Sequence, residues 1–220
     1  MNNILKYQKS KQEITINLIK SAPNQIKPFP GIEALCKHWR AKGYKEIIDL
    51  GCGQLRNSLI LVKYFELWIC DFPHQLESSY VRDRLNRLKQ SRNFMGFIAP
   101  DEFGRRKLTA DAAIIAYVLH TLPEVQLRVR LIRRAVKNTK YPHEMFVAVP
   151  NGESYYRKRM GAENQLNDGY SFDAGDGHKT FYREYTSIQI DEFMSGLGFV
   201  VGKSFPAHKK NQKTYLKKKG

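Results

Sequence analysis

Cysteine, long apolar runs and acidic residues are all scarce in this sequence of 220 residues. Its three cysteines form no C-x-x-C pair, so neither a disulfide framework nor a zinc site is indicated. No apolar run approaches the roughly 20 residues that a membrane-spanning helix needs. The first residues also lack the apolar core of a secretory signal. These absences predict a soluble, cytoplasmic protein.

Basic residues outnumber acidic ones by 37 to 21, which gives a formal net charge of +16 at pH 7. A charge of this size predicts attraction to a polyanion, either nucleic acid or an anionic membrane surface. Much of it lies in a basic helix expected over 124–140 and in the lysine-rich C-terminal segment 203–220. Two interpretations remain open for these regions, a solvated surface or a contact with nucleic acid.

Short apolar runs alternate with longer amphipathic runs along most of the chain. This alternation is typical of βαβ units and predicts an α/β fold, a doubly wound and mostly parallel sheet with helices on both faces. We expect a single domain with a core over 31–202, a helical N-terminal extension over 1–30 and a basic C-terminal segment over 203–220. Residues 151–180 show no sustained period, and we expect a long loop or lid over the functional edge.

Seven strands and five helices are predicted. The strands cover 46–50, 67–70, 94–98, 112–118, 145–149, 198–202 and 213–216, and the helices cover 31–42, 57–65, 76–89, 123–138 and 187–195. In the helix over 123–138, Val125 and Ile132 are expected on the core face, and Arg130, Arg133, Arg134 and Lys137 elsewhere.

Residues 47–53 read I-I-D-L-G-C-G, an apolar strand that breaks into two glycines before a helix. Glycine at 51 and 53 permits a close approach that a Cβ would block, so a ligand can rest on the main chain at the carboxyl end of the sheet. Asp71 follows the next strand, near the spacing of about 20 residues at which an acid meets ribose hydroxyls. The pattern predicts an adenosine-type ligand; the alternative is a tight turn with a helix cap.

The helix after this turn begins unlike a dinucleotide-binding helix. Arg56 stands where the dinucleotide fingerprint has its third glycine, and Leu55 precedes it. This disfavours pyrophosphate binding and therefore a nicotinamide-dependent dehydrogenase.

At these residues the sequence resembles the class I S-adenosylmethionine-dependent methyltransferases. Residues 49–53 are similar to the family's first motif, and Asp71 to the acid that holds the ribose. Residues 111–123 resemble the fourth motif in its small-molecule form, and 180–201 the closing helix and antiparallel hairpin. The resemblance implies a seven-stranded sheet, S-adenosylmethionine as cofactor, no metal, and methyl transfer to a small molecule or a nucleic-acid-associated group.

The resemblance also implies roles for individual residues. His120 is the candidate general base and Tyr117 a second catalytic candidate; alternatively, His120 only bonds the backbone or lines the pocket. The adenine-binding segment is the poorest match, with Asp101 or Phe103 as candidates. The residues expected to bind the cofactor are Asp49, Gly51, Cys52, Gly53, Asp71, Phe72 and Tyr117.

Two nucleic-acid methyltransferase classes are disfavoured by the segment after the fourth strand. Residues 116–120 lack the acid or asparagine, two prolines and aromatic of the exocyclic-amine class. No cysteine follows Cys70, so the covalent cytosine route is excluded. A non-catalytic nucleic-acid-binding or partner subunit with a methyltransferase-like fold remains the alternative from another class.

Overall fold

The computed structural model describes residues 4–9, 12–20, 27–150, 160–205 and 210–218 of the chain. These residues form twelve β-strands in two sheets, six α-helices and three short 3-10 helices. The strands are β1 (Ile4–Lys9), β2 (Gln12–Asn17), β3 (Glu46–Leu50), β4 (Glu66–Cys70), β5 (Phe94–Ile98), β6 (Ala110–Ala116), β7 (Thr139–Pro150), β8 (Gln165–Leu166), β9 (Gly169–Asp173), β10 (Lys179–Tyr182), β11 (Phe199–Ser204) and β12 (Lys210–Lys217). The α-helices are α1 (Ile32–Ala41), α2 (Ser58–Leu61), α3 (Ser79–Lys89), α4 (Pro100–Arg105), α5 (Val125–Asn138) and α6 (Ser187–Gly196), and the 3-10 helices cover Pro73–Leu76, Leu119–Thr121 and Ala162–Asn164.

The larger sheet has seven strands in the order β11-β12-β7-β6-β3-β4-β5. Strands β3 to β7 run parallel, whereas β12 lies antiparallel between β7 and β11. All seven strands expected from the sequence are present, and β3 and β5 have the expected bounds. The doubly wound, mostly parallel sheet is therefore confirmed.

Helices cover both faces of the larger sheet because its inner strands are apolar on both sides. Helices α1, α2 and α3 pack on one face, where Leu35, Trp39 and Leu88 are buried. Helices α4, α5 and α6 pack on the other, where Phe103 and Ile132 are buried. Among the helices of the described residues, none combines the length and the apolarity needed to cross a membrane.

The buried face of α5 differs from the expected one. Ile132 is buried, but Val125 is 46% exposed. Helix α5 instead buries Arg128, which is 1% exposed and pairs with Asp168. Arg128 behaves as a core residue because Asp168 neutralises its charge, and the apolar pattern of the helix does not show this.

The lysine-rich C-terminal segment contributes a strand to the larger sheet. Residues 210–217 form β12, which pairs with both β7 and β11. Lys213 Nζ lies 2.5 Å from Asp191 Oδ2 and 2.7 Å from Ser187 Oγ. Residues 206–209 and 219–220 lie outside the described residues. Lys213 therefore serves the fold, and its charge is neutralised within it.

The smaller sheet has the order β1-β2-β10-β9-β8 and includes the first described residues. The helical extension expected over 1–30 is wrong here, because β1 and β2 form an antiparallel pair. Ile14 and Ile16 are buried, while Thr15 between them is more exposed. This alternation suits a strand with one covered face.

Residues 160–180 contain the strands β8 and β9 and the start of β10, so the long loop expected over 151–180 is wrong for this part. Strand β9 pairs antiparallel with β8 and β10. These strands have only two to five residues, too few to leave a sustained period in the sequence. Phe181 packs with Leu122, which follows β6 at the carboxyl end of the larger sheet. The smaller sheet thus covers that end, and residues 151–159 lie outside the described residues.

Candidate active site

The glycine turn lies at the carboxyl end of β3, which has β4 on one side and β6 on the other. The strand order of the sheet reverses here, and open α/β sheets bind ligands at such points. Gly51 and Gly53 have φ of +72° and +50°, in the left-handed region that glycine favours. The Gly53 N–H donates to Asp71 Oδ2 over 2.6 Å. The structure therefore brings the glycine turn and Asp71 together.

The two glycines differ in the space around them. A Cβ at Gly51 would lie 2.3 Å from Val118 Cγ2, so packing excludes a side chain there. A Cβ at Gly53 would have its nearest neighbour, Gly51 O, at 4.0 Å. The space over Gly53 is open, whereas the space over Gly51 is partly filled by Val118.

A cavity of about 490 Å³ opens over this turn, within the range of small-molecule sites. Asp49 and His120 are absent from its lining. The rest of the lining comes from the segment before α2, the segment before α3, the loop after β6 and the smaller sheet. The other six residues expected at the site all line it: Gly51, Cys52, Gly53, Asp71, Phe72 and Tyr117.

Asp71 is the acid that borders the open part of the turn. Besides the Gly53 donor on Oδ2, its Oδ1 accepts the Phe72 N–H over 2.7 Å. Burial raises the pKa of Asp71 to about 6, although these backbone donors act in the opposite direction. Asp71 is therefore mostly ionised at pH 7, and each oxygen has capacity for a further donor.

Asp49 lies beneath the turn, outside the cavity. It is 1% exposed, and its Oδ2 accepts the Ser58 hydroxyl over 2.6 Å. Burial raises the pKa of Asp49 to about 7; Ser58 and Arg56 lower it and Asp71 raises it further. Because Ser58 opens α2, Asp49 joins β3 to that helix. Asp49 therefore supports the turn from below and does not line the cavity.

Arg56 is a cavity residue whose binding role the sequence does not indicate. Its guanidinium carbon lies 5.3 Å from the centre of the Tyr117 ring, and its Nη1 donates to Lys27 O over 3.1 Å. Its residual exposure is 8%, and burial lowers its pKa. A guanidinium that lines a cavity suits a carboxylate ligand. The sequence signal that could have indicated this role is an arginine shortly after a G-x-G turn.

Tyr117 leaves β6 with a backbone conformation that is uncommon for a residue with a side chain. Its φ is +62°, and its N–H donates to Ala148 O over 2.8 Å. The ring lines the cavity, and the hydroxyl accepts from Gln212 Nε2 over 3.4 Å. Such conformations cluster at functional sites. In Tyr117 this backbone conformation occurs together with a ring that lies beside Arg56.

His120 lies close to the cavity but does not line it. Its ring packs edge-on against the rings of Tyr117 and Tyr182, with centroids 6.2 and 5.6 Å away. Burial, followed by the charge of Arg56, lowers the pKa of His120 to about 3. Its Nδ1 has no hydrogen-bond partner among the described residues. The geometry favours packing, since a neutral imidazole of such low basicity is a weak base at pH 7.

A second, apolar cavity of about 80 Å³ adjoins the first and shares five lining residues with it, including Asp71 and Phe72. Phe103 lines this cavity and is 1% exposed. Asp101, the other residue considered for adenine, is exposed and does not line it. The cavity is thus an apolar slot next to the acid expected to hold a ribose.

The smaller sheet forms the outer wall of the larger cavity. Leu18, Lys20 and Thr180 line it from that side. Lys20 pairs with Asp176, and His178 Nδ1 lies 3.3 Å from the same carboxylate. Lys20, the cation in this wall, is therefore already paired with an acid.

The site offers bare main chain, a carboxylate and a guanidinium, but no prepared nucleophile. Burial raises the pKa of Cys52 well above its usual value, so its thiol stays protonated. Within the described ranges, no three His, Cys, Asp or Glu side chains are grouped so as to hold a metal ion. Such a site can bind and orient a ligand that brings its own reactivity.

Solved structures similar to this chain include several methyltransferases. Magnesium protoporphyrin IX methyltransferase from Synechocystis, solved with bound S-adenosylhomocysteine, is 12% identical with a TM-score of 0.60, over 85% of this chain and 82% of that one. The 1,6-didemethyltoxoflavin-N1-methyltransferase from Burkholderia thailandensis is 13% identical with a TM-score of 0.61, over 86% and 79%. Mitomycin 7-O-methyltransferase is 16% identical with a TM-score of 0.57, over 86% of this chain.

These comparisons define the fold. The match covers only 54% of the mitomycin enzyme, so this chain spans about half of its length. No protein-family model matches the sequence, and the curated proteins give no significant match. With the strand order described above, the chain has the fold of the class I S-adenosylmethionine-dependent methyltransferases.

Proposed function

We propose that this chain binds S-adenosylmethionine over its glycine turn and transfers the methyl group to an acceptor. The observation that carries the proposal is the contact between Asp71 and the Gly53 N–H, 2.6 Å long, at the edge of the open cavity. It sets a carboxylate beside exposed main chain at the switch point of the sheet, as a nucleoside ligand requires. Three of the similar solved structures hold S-adenosylhomocysteine or S-adenosylmethionine, in line with this choice of cofactor.

Each part of the cofactor has a suitable partner in this arrangement. Asp71 would accept the ribose hydroxyls, and Phe72 and Phe103 would enclose the adenine in the apolar cavity. Arg56 would hold the carboxylate of the methionine moiety. The sulfonium would then lie near Tyr117, facing the wall formed by the smaller sheet.

The protein itself needs to supply little of the chemistry of methyl transfer. The cofactor supplies the electrophilic methyl group, so the chain must align the acceptor with the carbon–sulfur bond and exclude water. We assign Tyr117 to this alignment, because its ring lies in the cavity in a conformation fixed by Ala148 and Gln212. We take the acceptor to be a small molecule or a small group carried on a larger one, because the smaller sheet forms one wall of the cavity.

Calorimetry with S-adenosylmethionine, S-adenosylhomocysteine and NAD tests the proposed cofactor. We expect binding of the first two and none of NAD. Asp71→Ala should weaken binding by about 1 to 3 kcal/mol through loss of charge-assisted hydrogen bonds. Asp83→Ala, which removes an exposed acid from α3, is the matched control and should bind normally. Equal affinity for Asp71→Ala and Asp83→Ala would refute the proposed site.

Transfer of labelled methyl from the cofactor to fractions of cell extract tests the activity. Small molecules, protein, RNA and DNA are assayed separately, with the Asp71→Ala variant as the blank. We expect label in one fraction only. Cofactor binding without label in any fraction would favour the non-catalytic subunit.

A further inference from the structure

Four cations line a groove on the outer side of α5. The groove has a volume of about 330 Å³, and no acidic residue lines it. The cations are three and four residues apart, so they share one side of the helix. The lining residues are Gln126, Val129, Arg130, Arg133, Arg134 and Lys137.

Helix α4 holds two of these cations in place. Arg134 Nη1 donates to Pro100 O over 3.2 Å, and Lys137 Nζ donates to Gly104 O over 3.1 Å. A Cβ at Gly104 would lie only 3.0 Å from Arg134 Cζ, so glycine lets the guanidinium lie against α4. Both acceptors are neutral carbonyl groups. The contacts orient the cations and leave their charge intact.

The groove differs in this respect from the basic residues on either side of it. Arg128 pairs with Asp168, and Lys140 pairs with Asp111. No salt bridge joins any of the four groove cations to an acid in the described parts of the chain. The unneutralised charge of α5 is therefore concentrated in this groove.

The groove reaches the edge of the proposed cofactor site. Arg130 and Arg134 line both the groove and the small apolar cavity beside Asp71. Arg133 and Lys137 line the groove alone. A polyanion in the groove would thus pass the end of the cofactor cavity.

We propose that this groove binds the phosphodiester backbone of a nucleic acid. Because an α-helix rises 1.5 Å per residue, residues 130–137 extend over about 10 Å along the helix. This length suits contacts to at least two consecutive phosphates of a strand. The arginine fork also fits phosphate oxygens. A membrane is a poorer partner, because it is flat and Val125 is the one large apolar side chain of α5 that is well exposed.

The variant Arg133→Gln/Lys137→Gln tests the groove without altering either cavity of the cofactor site. Its matched control is Lys37→Gln/Arg40→Gln, which removes the same two charges from exposed positions of α1 on the opposite face of the sheet. Binding of fluorescent single-stranded 20-mers of RNA and DNA is measured against salt concentration. Vesicles with anionic headgroups form a third arm, and thermal unfolding and S-adenosylmethionine affinity are recorded for every variant.

We expect the wild-type protein to bind an oligonucleotide with a salt-dependent affinity. A single strand contributes roughly 0.7 to the slope of log K against log salt per phosphate contact, so the groove variant should lose about 1.4. The control should keep the wild-type slope, and all variants should keep cofactor affinity. An equal slope in the groove variant and control, or binding to vesicles but not to oligonucleotides, would overturn the proposal. If the wild-type protein does not bind S-adenosylmethionine, the proposed function is refuted, but this inference is not affected.

Discussion

Arg128 Nη2 lies 2.6 and 2.7 Å from the two carboxylate oxygens of Asp168, and these two residues join the larger sheet to the smaller one. Arg128 is on α5, whereas Asp168 is in the turn between β8 and β9. Arg128 Nη1 also donates to the Tyr185 hydroxyl over 2.7 Å, and Arg183 pairs with the same carboxylate. One carboxylate therefore neutralises two largely buried guanidinium groups at the joint that holds the cavity wall.

Asp168→Asn should destabilise the protein, because it leaves Arg128 with an uncompensated charge at 1% exposure. The expected loss in the free energy of unfolding is about 2 to 3 kcal/mol, below the value for a fully buried pair since Asp168 itself is 30% exposed. Urea unfolding measures it, with the exposed Asp83→Asn as control. Unchanged stability would mean that the pair does not hold the two sheets together.

Alanine at the two turn glycines should separate folding from binding. Gly51→Ala places a Cβ against Val118 and should destabilise the fold, and Val118→Ala in the same chain should restore part of the loss. Gly53→Ala meets open space and should cost only about 1 kcal/mol of stability. Its Cβ points into the proposed cofactor site, so cofactor affinity should fall. Normal cofactor affinity in Gly53→Ala would show that the ligand does not rest on this turn.

Cofactor affinity should depend on pH through Asp71. Its raised pKa of about 6 means that a bound proton must be released below pH 6 before the carboxylate can accept ribose hydroxyls. Affinity should therefore be constant above pH 7 and fall by up to about tenfold per pH unit below pH 6. Calorimetry in buffers of different ionisation enthalpy detects the proton release, and Asp71→Asn should abolish it. A flat wild-type profile from pH 5 to 7 would contradict the assignment.

Arg56→Met should weaken binding of S-adenosylmethionine and S-adenosylhomocysteine but not of methylthioadenosine, which lacks the amino-acid carboxylate. The expected loss is about 1.5 to 3 kcal/mol, typical of a hydrogen bond to a charged group. Direct titration of the three ligands measures it. If the variant weakens binding of methylthioadenosine equally, Arg56 acts on the shape of the cavity through Tyr117 and not on a carboxylate.

His120→Gln should reduce the rate of methyl transfer less than tenfold once an acceptor is known. With its pKa lowered to about 3, His120 is neutral throughout the neutral range and gains nothing as a base from a rise in pH. The variant should leave the pH profile of kcat unchanged. A rate loss of 10²–10⁴, or a lost inflection in that profile, would restore the general-base role.

The larger sheet could be predicted because its strands are recognisable from residues that are close together in the sequence. Strand β3 is an apolar run that ends in a glycine turn, and Asp71 follows the next such run. The smaller sheet could not be predicted in the same way. Strand β2 pairs with β10 through Lys179 and Ile16, which are far apart in the sequence, and β8 has only two residues. Such pairing depends on tertiary contacts that no local period records.

The site was predictable where backbone geometry dictates the residue type, as at Gly51 and Gly53. It was not predictable where a side chain takes its role from distant neighbours. Arg56 becomes a cavity residue beside Tyr117, and His120 is buried under the smaller sheet. The conformation of Leu55 was not predictable either. Leu55 is buried and has a φ of +61°, which is usual for glycine and uncommon for leucine.

The interior position of β12 has a consequence for biosynthesis. Of the twelve described strands, the ribosome makes β12 last, yet it lies between β7 and β11. A chain interrupted before residue 210 would present β7 as an open edge and would leave β11 without its partner strand. Unpaired edges recruit other chains, so truncated products of this gene should aggregate during synthesis.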